Sequence, residues 1–126
     1  MSIVVEGIRK SFGSPPTDVL KGISFEVGGG EFVALTGRSG SGKSTLLYVV
    51  STLDVPSAGD VSISGKSISA MSSRELHLFR NANIGFVFQF HHLLPELTAL
   101  ENVLMPAMKT KRQLELRPHA MQLLEE

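Results

Sequence analysis

The chain has 126 residues, 42% apolar and 19% charged, with 12 Lys and Arg balanced by 12 Asp and Glu. That apolar content excludes a disordered chain, and the length allows one domain that removes roughly two thirds of its unfolded surface from water. Zero net charge argues against nucleic acid as a partner, and the absence of cysteine excludes a disulfide scaffold and a Cys-ligated zinc site.

At the start, Glu6, Arg9 and Lys10 interrupt the place where a signal peptide's apolar stretch would lie. The longest apolar runs, Phe32 to Leu35 and Leu46 to Val50, fall far short of the ~20 residues that a bilayer span needs. A soluble intracellular protein is the expectation. Ile23, Phe25 and Val27 alternate with Ser24 and Glu26, the pattern of an antiparallel strand with one wet face. Gly28-Gly29-Gly30 reads as a turn. Phe32-Val33-Ala34-Leu35 is continuously apolar and reads as a central strand buried on both faces, the habit of parallel sheets. After Lys43, the residues Leu46, Leu47, Val50 and Leu53 share one helical face.

Val61 and Ile63 alternate with Ser62 and Ser64, and Gly65-Lys66 reads as a turn into a strand near Ile68. Ser72 and Glu75 form a capping box ahead of Leu76 and Phe79. Ile84 to Phe88 is a second candidate for a buried central strand. Thr98 and Glu101 form a second capping box, followed by Leu100, Val103, Leu104 and Ala107 on one face, with Pro106 expected to kink or end that helix. Leu116 to Leu124 has helical spacing, which Pro118 is expected to interrupt.

The strongest signal is Gly37-Arg38-Ser39-Gly40-Ser41-Gly42-Lys43-Ser44, which matches G-x-x-x-x-G-K-[ST] between a strand pattern and a helix pattern. Phosphate oxygens carry dense negative charge. Backbone N–H groups of a tight glycine loop converge on them, and the positive end of the following helix points to the same place. Lys43 is expected to reach the terminal phosphates, Ser44 to ligate Mg²⁺ and Thr45 to contact the innermost phosphate. A cradle alone defines only the broad class of nucleotide-binding proteins. A complete small P-loop kinase or GTPase would also need a substrate lid or a guanine-reading motif, and the sequence has neither.

The flanking residues Val19 to Phe25, Ser57 to Val61 and Gly85-Phe86-Val87-Phe88-Gln89 resemble ABC transporter ATPases. The segment Gln89 to Val103 resembles more narrowly the LolD-like lipoprotein-release branch, with relatives in macrolide export. The resemblance implies an α/β fold: a P-loop NTPase core of the ABC type, an antiparallel β subdomain and the start of a helical subdomain. It implies that residues 1–89 hold the antiparallel subdomain and P-loop core, and residues 90–126 the Q-loop and the beginning of the helical subdomain. Gln89 then corresponds to the Q-loop glutamine that contacts Mg²⁺ and the region of the attacking water. Phe12 corresponds to the aromatic that stacks on adenine, although an isolated Phe also suits a core. His91 and His92 do not suit a metal site, because adjacent side chains point apart. Met105 and Met108 read as packing, and Lys109, Lys111 and Arg112 as a solvated loop.

The resemblance further implies ATP and Mg²⁺ as cofactors, a transmembrane permease subunit as partner and a homodimer of the intact subunit. It places the protein peripherally on the cytoplasmic face of a bacterial inner membrane. The function implied is coupling ATP binding and hydrolysis to lipoprotein release, with macrolide or small-molecule export as the alternative. Three family elements are absent from these residues: an LSGGQ-type signature, a strand ending in Asp-Glu and a switch histidine. The chain therefore reads as the first half of a longer domain, a fragment that binds nucleotide and does not hydrolyse it at a useful rate.

Overall fold

A computed structural model describes all 126 residues. The chain divides into two compact units, Met1–Ile84 and Gly85–Glu126. The first unit contains strands β1 (Ile3–Phe12) and β2 (Thr17–Val27), helix α1 (Lys43–Val50), strands β3 (Ala58–Ile63) and β4 (Lys66–Ser67), and helix α2 (Ser73–Asn83). Its strands form one antiparallel sheet in the order β2-β1-β3-β4.

β1 is central in that sheet, yet the sequence pattern does not announce it. Ile3 and Val5 keep period two, then Ile8 arrives one residue late. The register explains the slip. Val5 faces Phe25 and Ile8 faces Ile23 across β2, while Glu6 faces Asp60 and Arg9 faces Ala58 across β3. Both ladders therefore carry an extra β1 residue near Gly7, a bulge that returns Ile8 to the core side. β3 approaches this bulge closely. A Cβ on Gly59 would stand 2.5 Å from the carbonyl oxygens of Glu6 and Gly7, and its φ of 86° lies in the region glycine tolerates best.

The core of this unit is Val5, Ile8, Leu20, Leu46, Val49, Val61 and Ile63. Ile8 is fully buried, and α1 contributes Leu46 and Val49. This corrects the helical face expected from sequence: Leu47 and Leu53 are exposed, and Val49 takes the inner position. The helix ends at Val50, so Leu53 has left the helical spiral. The expected strand near Ile68 shrinks to two residues, after which the Ile68 amide donates to the Val61 carbonyl at 2.8 Å.

The two expected central strands do not form. Phe32–Leu35 and Ile84–Phe88 lie outside every sheet, and Phe32 and Val87 are exposed essentially in full. A strand buried on both faces needs neighbours along both edges, and parallel neighbours come from distant sequence. Among residues 1–126 no such neighbour pairs with either segment.

The second unit contains helices α3 (Ala99–Met108) and α4 (Gln113–Glu125), packed through Leu104, Ala107 and Ala120 with Leu100 and Leu116 beside them. Both expected capping boxes are present. Ser72 Oγ accepts from the Glu75 amide at 3.3 Å ahead of α2, and Thr98 Oγ1 accepts from the Glu101 amide at 3.3 Å ahead of α3. Pro106 sits in the last turn of α3, which ends at Met108. Pro118, expected to interrupt the terminal helix, is accommodated within α4. It lies in the second turn, so the helix sacrifices one backbone hydrogen bond near its start while Ala120 packs against α3.

Candidate functional site

The motif Gly37–Ser44 lies in the first unit, between the unpaired segment Phe32–Leu35 and the start of α1. What holds it is β2. Opposite Lys10 and Ser11, β2 carries Leu20 and Asp18, so Val19 is an extra residue in that strand. The bulge presses both Val19 and Leu20 toward the loop. A Cβ on Gly42 would stand 3.1 Å from Leu20 Cδ2 and 3.2 Å from Val19 Cγ1, and the Gly42 φ is 90°. Only a residue without a side chain passes here without strain.

Gly42 is also the N-cap of α1, and no side chain caps the helix. The amides of the first turn are therefore left to an outside acceptor, and the helix dipole adds positive potential there. A cavity of about 280 Å³ opens at this point, lined by Val19, Ser39, Gly40, Gly42, Lys43, Ser44 and Thr45. Lys43 is its only charged lining residue, and no carboxylate faces it. The Lys43 ammonium curls over the loop, donating to the carbonyl oxygens of Gly37 at 3.0 Å and Arg38 at 2.7 Å. The Ser41 amide closes the loop on the Arg38 carbonyl at 3.2 Å. Uncapped amides, one cation and the three hydroxyls of Ser39, Ser44 and Thr45 fit a polyphosphate. They fit Mg²⁺ only alongside that anion, since Ser44 is a single neutral ligand. A larger cavity, about 560 Å³, lies between the end of α1, β3 and α2 and contains none of the motif residues.

Phe12 closes β1 in the same unit and is 46% exposed, so it is outside the buried core. Beside it is a cluster that sequence reasoning did not find. Lys10 Nζ stands 5.0 Å from the Phe12 ring centroid and donates to Asp54 Oδ1 at 2.7 Å and to the Val55 carbonyl at 2.6 Å. The Lys10 hydrogen bond holds the Asp54 carboxyl below its ordinary value, against a smaller upward push from burial. The signal available in sequence was only that Lys10 and Phe12 share one side of a strand.

Gln89 belongs to the second unit, in an exposed bend. It follows Phe86 and Phe88, whose rings stack at 5.4 Å and 2°, and the His92 ring meets Phe88 edge-on at 5.1 Å. Further along, Asn102 clasps the approach to α3. Its Oδ1 accepts from the Leu94 amide at 2.9 Å, and its Nδ2 donates to the carbonyls of Leu94, Leu97 and Thr98. In the sequence Asn102 stood out only as part of the Gln89 to Val103 resemblance, with no structural role attached to it.

The loop, its glycine cap and its lysine define a P-loop nucleotide-binding protein. The ABC transporter family model matches residues 20–125, and the chain belongs to that family of ATP-binding domains. It is 52% identical over 124 residues to a lipoprotein-releasing system ATP-binding protein LolD of Leptospira interrogans, covering 98% of this chain and 52% of that protein. It is 60% identical over 105 residues to the protein of the same name in Bacteroides thetaiotaomicron, covering 83% of this chain and 47% of that one. The chain thus spans about half the length of these relatives. Among solved structures, it superposes with a TM-score of 0.85 and 36% identity on a dimeric post-hydrolysis ATP-binding cassette, MJ0796, bound to ADP and Pi. That match covers 98% of this chain and 56% of the cassette. No helix is long and apolar enough to cross a membrane.

Proposed function

We propose that this chain is the ATP-binding portion of an ABC-type ATPase that couples ATP binding and hydrolysis to lipoprotein release from a bacterial inner membrane. The observation that carries the proposal is the cradle: an uncapped helix N-terminus behind Gly42, with Lys43 as its single cation. The relatives named for lipoprotein release direct the assignment within the family. Residues 1–89 serve as the antiparallel β subdomain and P-loop core, and residues 90–126 as the Q-loop and beginning of the helical subdomain. The whole protein pairs with a transmembrane permease, dimerises, and sits peripherally on the cytoplasmic face.

In this reading the amides of Gly37 to Thr45 hold the phosphates. The Lys43 ammonium exchanges the Gly37 and Arg38 carbonyls for the terminal phosphate oxygens. Phe12 stacks on adenine. Ser44 would hold Mg²⁺, whose charge offsets that of the phosphates when it is bound, and Gln89 is proposed as the Q-loop glutamine. The cradle lining contains no Asp, Glu or His to orient or deprotonate water, a contribution typically worth about 10²–10⁴-fold. We infer that residues 1–126 bind nucleotide without hydrolysing it at a useful rate.

Calorimetric titration of the chain with Mg-ATP, with Lys43→Ala as control, tests the reading. Saturable heat that the substitution abolishes is the expected result, and no heat from the unsubstituted chain overturns it. Steady phosphate release that Lys43→Ala removes would overturn the claim about hydrolysis alone.

A further inference from the structure

Lys10 is largely buried, its side chain 12% exposed, and its ammonium meets Asp54, the Val55 carbonyl and the Phe12 ring. Asp54 Oδ1 and the Val55 carbonyl take two of its protons, and the remaining direction meets the face of the Phe12 ring. Asp54 in turn is tied to the cradle helix. The Leu53 and Asp54 amides both donate to the Tyr48 carbonyl of α1, at 2.8 and 3.1 Å, and the Asp54 carboxylate accepts from the Val55 amide at 2.7 Å. A continuous path therefore runs from Lys43, at the first position of α1, through Tyr48, Asp54 and Lys10 to Phe12.

We propose that Lys10, anchored by Asp54, is the positioning residue that turns Phe12 into a fixed stacking platform for a purine base at a set distance from the phosphate cradle. The proposal rests on the reading of Phe12 as the base platform. Two physical effects support it. A half-exposed Phe at a strand end otherwise samples several orientations, and an ammonium locked against one face favours one of them. A cation on the inner face also draws ring electron density inward, so the outer face accepts an electron-rich purine more favourably than an isolated phenyl ring does. A nucleotide that engages base and phosphates together gains only if their two sites hold a constant separation, which the Asp54 link to α1 provides.

The test compares Mg-ATP with Mg-tripolyphosphate, which has the phosphates and no base, by calorimetry on the 126-residue chain. Lys10→Met keeps the side-chain stem and removes the charge. It is expected to weaken ATP binding about fivefold and leave tripolyphosphate binding unchanged. Lys10→Arg, which keeps the charge, should restore part of the loss. Asp54→Asn, which frees the ammonium without emptying the site, should shift the ATP-to-tripolyphosphate ratio in the same direction by a smaller factor, and it decides the matter if Lys10→Met does not fold. Equal weakening of both ligands would place Lys10 in the cradle or the fold and overturn the proposal. So would unchanged ATP binding in Lys10→Met. Phe12→Ala separates the two levels: if it leaves ATP binding intact, the platform reading itself fails; if it weakens ATP alone while Lys10→Met has no effect, only the role of Lys10 fails.

Discussion

Ile8 and Val87 are both aliphatic residues in apolar stretches of the same chain, yet the first is fully buried and the second fully exposed. The difference lies in where their neighbours come from. β1 finds β2 across a four-residue connection and lies against β3 on its other edge, so both of its ladders are satisfied within the first unit. Phe32–Leu35 and Phe86–Phe88 carry as much apolar character but no ladder, and all of these side chains except the half-buried Phe86 are exposed. An antiparallel partner arrives through a short turn, as β2 does, or from a distant segment, as β3 does; strands buried on both faces need parallel partners along both edges, and no strand pairs with these two segments. Apolar content therefore reports the appetite for burial and does not report its fulfilment.

Substitutions test whether paired and unpaired apolar segments differ in solution as they do in the structure. The largest effect is expected at Gly59, where any side chain meets the β1 bulge backbone at 2.5 Å: Gly59→Ala should cost about 4 kcal/mol or more in urea unfolding of the chain. Next comes the direct contrast. Ile8→Ala should cost about 3 kcal/mol, and Val87→Ala should stay within about 0.5 kcal/mol. Comparable losses at the two positions would show that Val87 is buried in solution and sink the distinction drawn above. Smaller still, Ser72→Ala and Thr98→Ala should each cost about 1 kcal/mol of helix stability, read as lost helical circular dichroism at α2 and α3. A larger loss at either would mean that its hydroxyl supports more than the cap.

The smallest expected effect is in acid. Asp54, Glu75 and Glu101 all titrate below their ordinary values, chiefly through the Lys10 hydrogen bond, the Ser72 hydroxyl and the Thr98 amide respectively. A carboxyl depressed in the folded state binds protons more readily when the chain unfolds. The stability it contributes is full above the unfolded value and is lost as pH falls through the folded one, so unfolding midpoints should drop as pH falls below about 4. Lys10→Met should remove the Asp54 share of that slope and leave the Glu75 and Glu101 shares. A pH profile identical to that of the unsubstituted chain would show that the Lys10–Asp54 pair does not persist in solution.

Local chemistry was the legible part. The two capping boxes were readable because each depends on a hydroxyl and a carboxylate three residues apart. The phosphate loop was readable because glycine and lysine at fixed spacing meet a backbone requirement that few other arrangements meet. The alternation of Ile23, Phe25 and Val27 matched a strand whose even positions, Ser24 and Glu26, face solvent. β1 was hidden because its bulge breaks period two. Val49 was displaced by Leu47 because eight helical residues offer two nearly equivalent apolar faces, and only the sheet beneath chooses between them.

From sequence alone came the glycine loop and lysine ahead of α1, the family they point to and the N-terminal ends of α2 and α3, each set by residues a few positions apart. The tertiary structure alone decided which apolar stretches are buried, which face of α1 is inside, and that Lys10, Asp54 and Phe12 form one cluster across 44 residues of chain. Those outcomes depend on loop closure and pairing between distant segments. A linear pattern encodes the preference for such pairing and leaves its partner unspecified.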